Sequence, residues 1–118
     1  MASQSVIRNS SIYLRLLIEA GIPVDRGLLF GSHATGDSAE ESDVDLLVIS
    51  SRFDRSKTGH LLDTLWRLRR KIDSRIEPIA IGKREFETEW GSPVIDAARQ
   101  QGIAIKPAPP RNRPIKRT

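Results

Sequence analysis

The chain has 118 residues, of which 38% are hydrophobic and 29% charged, with no cysteine and a formal net charge of +4. That length suits one domain. The lack of cysteine excludes a disulfide framework and a cysteine-based zinc site, and no apolar run approaches the ~18 residues that a membrane-spanning helix needs.

The charge is uneven. Lys106, Arg111, Arg113, Lys116 and Arg117 stand in the last 13 residues without an acid, and the rest carries 14 Lys and Arg against 15 Asp and Glu, a net of −1. A near-neutral domain over residues 1–106 and a basic, Pro-rich tail over 107–118, expected to be disordered, follow from that split.

Residues 1–5 are expected to be disordered. Over 6–20, Ile12, Tyr13, Leu16, Leu17 and Ala20 recur at helical spacing, and Gly21 and Pro23 end the helix. A strand over 24–30 follows, then a helical turn over 32–36, an acidic loop over 37–42 and a second strand over 43–50. Residues 51–57 read as a loop, with Phe53 folding back onto the core. Leu61, Leu65, Leu68 and Ile72 give a helix over 58–72 its apolar stripe. Its C-terminal half crowds Arg67, Arg69, Arg70 and Lys71, where cations suit the helix dipole.

The third strand spans 74–81. Pro78 cannot donate to a ladder, which puts this strand at an edge or at a bulge. A short helix over 83–90 carries Phe86 and Trp90 on one face. A further helix, capped by Ser92 with Pro93 at its start, runs to about Gln101. A last strand over 103–106 completes the order α-β-α-β-α-β-α-α-β. That order indicates an α/β (α+β) domain, a mixed sheet of about four strands with helices packed on it. Residues 1–11 are polar and lack the cationic start and apolar core of a secretory leader, so a cytoplasmic location is expected.

The chemistry gathers in residues 28–50. Leu28-Leu29-Phe30 runs into Gly31-Ser32, and Asp43-Val44-Asp45 leads into Leu46-Leu47-Val48-Ile49. Carboxylates two apart on an extended chain point to one face. They repel unless a cation compensates, and hard oxygen ligands favour Mg²⁺ or Mn²⁺. Gly31 lets the backbone approach a ligand closely, and Ser32 offers a hydroxyl and an amide to phosphate oxygens. A helix starting near Ser32 would add its N-terminal amides. Gly-Ser turns, and Asp before a strand, are common separately. Together they read as a phosphate site beside a metal site.

Gly31-Ser32, ten intervening residues, then Asp43-Val44-Asp45 resembles the signature of the DNA polymerase β-type nucleotidyltransferases. The likeness is greatest to their small branch, the minimal nucleotidyltransferases. The lead-in Ala20-Gly21-Ile22-Pro23-Val24 is similar too, and the resemblance covers most of residues 10–90. It implies the small nucleotidyltransferase fold and transfer of NMP, AMP from ATP, to a hydroxyl with release of pyrophosphate. It also implies Asp43, Asp45 and Glu77 as catalytic metal ligands for Mg²⁺ or Mn²⁺. Glu77, in Ile76-Glu77-Pro78-Ile79, matches the third acid of the family. With Asp45 it would help deprotonate the acceptor, while Gly31 and Ser32 would hold the β- and γ-phosphates. Two positions depart from the pattern: many relatives carry Arg where this chain has His33 and Thr35. His33 either substitutes when protonated or is an exposed turn residue.

A chain this short leaves no room for a second, substrate-binding domain. Minimal enzymes of this kind work with a helical HEPN partner, and the resemblance implies an antitoxin that adenylylates a tyrosine on a HEPN toxin. Two other readings stay open. One is a non-catalytic subunit that masks a partner, or grips nucleic acid with its basic tail. The other is a nucleotidyltransferase of small molecules such as antibiotics, with a homo-oligomer completing the pocket. None of them involves a membrane.

Overall fold

Ser3 opens the first helix, α1 (Gln4–Glu19), by accepting the Val6 N–H on its side-chain oxygen at 3.1 Å, the bond that defines an N-cap. The computed structural model describes residues 2–36, 42–88 and 92–110. Residues 2–5 are therefore not disordered as expected: the Ser3 cap starts the helix at Gln4 rather than at Val6. Gly21, at φ 96°, turns the chain out of α1.

The elements that follow are β1 (Arg26–Phe30), α2 (Ser32–Thr35), β2 (Val44–Ser50), α3 (Arg52–Arg55), α4 (Gly59–Arg69), β3 (Ile76–Gly82), α5 (Lys83–Thr88), α6 (Pro93–Gln101) and β4 (Ile103–Ile105). The expected order holds with one addition. Residues 51–57 are not all loop, because α3 forms there: Ser50 Oγ accepts the Arg52 N–H and the Ser51 carbonyl accepts the Asp54 N–H, both at 3.1 Å. Phe53 is buried as anticipated. Most of the acidic loop (37–41), Trp90 with its expected partnership with Phe86, and tail residues 111–118 lie outside the described residues.

The sheet order is β3-β2-β1-β4. β1 runs antiparallel to β2 and β4, and β2 runs parallel to β3, with α3 and α4 in the crossover. Apolar residues run almost unbroken through β2, as a strand covered on both faces requires. Leu46 and Val48 meet Tyr13, Leu14 and Leu17 of α1 and Leu61, Leu65 and Leu68 of α4 in one core. Leu47 and Ile49 join Phe86 of α5 and Ile95 and Ala98 of α6 in the other. β3 is an edge strand, which is how Pro78 is tolerated in it.

Beyond β4 the chain folds back on α1. Ser11 Oγ donates to the Lys106 carbonyl at 2.7 Å, the Ala108 N–H to the Ser11 carbonyl at 3.0 Å, and Arg15 Nε to the Ala108 carbonyl at 2.5 Å. Among the described residues no helix is long and apolar enough to cross a membrane.

Candidate active site

At one end of the sheet, the C-terminus of β1 meets the N-termini of β2 and β3. The register places Phe30 opposite Asp45, and Asp45 beside Glu77. On β2, Asp45 shares a face with Leu47 and Ile49, and on β3, Glu77 shares that face with Ile79 and Ile81. The two acids thus extend an apolar face to its solvent edge, where Asp43, at the mouth of β2, is exposed.

The carboxyls disturb one another. Glu77 is raised above the ordinary carboxylate range first by a hydrogen bond shared with the Asp43 carboxyl, then by burial and by the charges of Asp43 and Asp45. Asp45 is raised first by burial and then by the Asp43 charge, with His33 opposing. Carboxylates crowded together in this way make a donor set suited to a hard divalent cation. Among the described residues the side chains do not stand converged as a metal cage of three or more ligands. In donor chemistry and strand register the set fits such an ion.

Gly31 forms the floor of this corner. Its φ is 78°, and a Cβ there would stand 2.4 Å from Asp45 Oδ2. Only glycine meets both demands without strain. It brings the β1–α2 turn against the carboxylate and sets Ser32, half-buried, at the start of α2. That helix is a single turn, so Ser32 contributes its own hydroxyl and amide rather than a helix dipole.

The register thus brings together Asp45 and Glu77, with Asp43 two residues before Asp45 at the mouth of β2 and Gly31 against Asp45. Of the two departures from the arginine pattern, Thr35 is exposed and its hydroxyl turns back to the Ser32 carbonyl at 3.2 Å. His33 is not the exposed turn residue considered above: it is only 6% accessible, and its Nε2 lies 2.9 Å from the Ser42 carbonyl. It ties α2 to the approach of β2, directly before Asp43.

Arg69 is a site neighbour that sequence reasoning left among surface cations. Its guanidinium reaches from α4 to the carbonyls of Ser74 and Ile76, the latter at 3.2 Å, and its charge counters the rise at Glu77. Basic spacing along a helix carries no sign of such a return to the backbone. The larger hollows, about 390 and 520 Å³, lie elsewhere, along α1 beside Ala108.

Residues 18–102 match the family model described as "Nucleotidyltransferase domain". A Methanocaldococcus jannaschii protein, named for an inferred protein adenylyltransferase activity, is 35% identical over 83 residues, which is 70% of this chain and 79% of that protein. A crystal structure of a toxin–antitoxin with AMP-PNP superposes with a TM-score of 0.56 at 20% identity, covering 81% of this chain and 72% of that one. It shares the mixed sheet with its packed helices. The 1.40 Å structure of an inferred nucleotidyltransferase of Sulfolobus solfataricus gives a TM-score of 0.48 at 18% identity over 86% of each chain, too low to bear on the fold.

Proposed function

The chain belongs to the nucleotidyltransferase domain family, and from that premise we propose that it moves AMP from ATP to a tyrosine hydroxyl on a HEPN-type toxin partner, acting as the antitoxin of a pair. The observation that carries the reading is the strand register that sets Asp45 beside Glu77, with Asp43 two residues before Asp45 and Gly31 against Asp45. The named activity of the M. jannaschii relative and the toxin–antitoxin neighbour bring the adenylyl group and the kind of partner into view.

In this reading Gly31 and Ser32 hold the β- and γ-phosphates, the glycine by close backbone approach and the serine by its hydroxyl and amide. Asp43, Asp45 and Glu77 hold Mg²⁺ or Mn²⁺. When bound, such ions stabilise the attacking and departing oxygens of an in-line displacement. The acceptor oxygen attacks the α-phosphorus, its bond forming as the bond from that phosphorus to the bridging oxygen breaks, and pyrophosphate leaves. The hydroxyl proton passes to a carboxylate oxygen of Asp45 or Glu77, the acids that the strand register sets side by side.

The test is incubation of the chain with ATP, Mg²⁺ and a HEPN-type helical protein, read by intact-mass spectrometry. The expected result is addition of an adenylyl group to a tyrosine of that partner, lost with Asp43→Asn/Asp45→Asn. Unmodified partner in the presence of a variant-sensitive ATP site would overturn the protein acceptor.

A further inference from the structure

Beyond the carboxylates, around the open edge of β3, the C-terminal half of α4 presents a shallow cleft of about 210 Å³. Asp63, Trp66, Arg67, Arg69 and Arg70 line it. Trp66 is 41% accessible, an unusual exposure for a tryptophan, and Arg69 lies over its ring at 4.7 Å. The same Arg69 donates to the carbonyl of Ile76, next to Glu77. Arg69 thus links the cleft to the start of β3, around the edge of the sheet from the face that carries Asp45 and Glu77.

Arg67, Arg70 and Lys71 are exposed, and the side chain of none of them makes a hydrogen bond or ion pair among the described residues. Against them stands the single acid Asp63. Cations near a helix C-terminus satisfy its dipole. That requirement does not explain a half-exposed tryptophan stacked on one of them.

We propose that this cleft is where the acceptor protein docks, through an acidic segment that carries the target tyrosine. The inference rests on the proposed tyrosine adenylylation and adds the surface and the charge of the partner. The occupant follows from two adjacent demands. At α4 it must be anionic, to meet Arg67, Arg70 and Lys71. One strand away it must offer a neutral hydroxyl, because Asp43, Asp45 and Glu77 repel anything negative that arrives without a cation. A protein segment separates acids from a tyrosine easily, whereas a nucleic acid strand would bring its phosphates to the carboxylates as well. Charge on the cleft speeds encounter, and Trp66 gives an aromatic anchor of the kind found at the centre of interfaces.

The probe is a fluorescein-labelled random copolymer of glutamate and tyrosine, titrated with the full chain at low salt and read by fluorescence anisotropy. A lysine–tyrosine copolymer and a single-stranded RNA oligonucleotide serve as comparators. The last 13 residues are also basic, so the difference between the wild type and Arg67→Glu/Arg70→Glu carries the answer. The expected result is binding of the glutamate copolymer only, weakened about tenfold or more by the charge reversal and relieved by salt. Thermal unfolding checks that the variant folds, and Arg67→Gln/Arg70→Gln takes its place if it does not. Equal binding by wild type and variant, no binding by the wild type, or displacement of the copolymer by RNA at lower concentration overturns the proposal. AMP transfer to the copolymer is measured separately. Variant-sensitive binding without transfer leaves the docking surface standing and counts against the chemistry.

Discussion

Gly31 is the residue on which the corner of the site turns. With φ at 78° and Asp45 Oδ2 2.4 Å from where a Cβ would stand, Gly31→Ala must move either the turn or the carboxylate. The expected outcome is loss of metal-dependent ATP binding in calorimetry, with a stability cost of about 1–3 kcal/mol for the strained backbone in chemical denaturation. Glu77 shows the opposite balance. Its raised pKa means that the fold favours its protonated form, so its contribution is present at low pH and is lost as pH rises through the folded value. Glu77→Gln should therefore unfold at a higher denaturant concentration than wild type at neutral pH without metal. The gap should close toward acid and narrow when Mg²⁺ stabilises the wild type, as urea titrations across a pH series will show.

Elements deliver these residues to one another, and the junction between α4 and β3 does much of the delivery. Asp73 takes bonds from the Arg75 guanidinium at 2.7 and 2.9 Å, from the Arg75 N–H and from Asn9 on α1. The hydrogen bond from the Arg75 side chain leads in holding its carboxyl at about 2. A depressed acid stabilises the fold above its unfolded pKa and loses that contribution as pH falls through the folded one. Asp73→Asn should then cost about 1–2 kcal/mol at neutral pH, a difference that shrinks between roughly pH 4 and pH 2. Much of this scale was legible in the sequence. The unbroken apolar run Leu46 to Ile49 marked a strand covered on both faces, and Pro78 marked an edge or a bulge. The cap at Ser3 and the turn at α3 were missed because each depends on one serine oxygen finding a nearby N–H, which no periodicity records. The burial of His33 is a tertiary matter: its partner, the Ser42 carbonyl, lies across the loop.

In the whole molecule, composition and charge separate a near-neutral body from a basic end, yet the chain past Lys106 is bound to α1 before that end begins. A chain stopped at Lys106 loses the Ala108 bonds to Ser11 and Arg15 and should be less stable than one stopped at Pro110 by about 1–2 kcal/mol. Differential scanning calorimetry of the two separates them. The family was legible from a spacing of two short motifs, Gly31-Ser32 and Asp43-Val44-Asp45, which carry the resemblance. The docking cleft was not, because a run of cations on a helix looks the same whether it ends in solvent or beside an acid.

The central claim is that the β1, β2 and β3 termini form a metal-dependent nucleotide site. The most direct measurement is calorimetric titration of ATP with Mg²⁺ into the chain and into Asp43→Ala/Asp45→Ala, each repeated without the metal. Saturable binding by the wild type that needs Mg²⁺ and vanishes in the double variant is the expected result. Binding that is indifferent to the metal or to the two aspartates would contradict the claim.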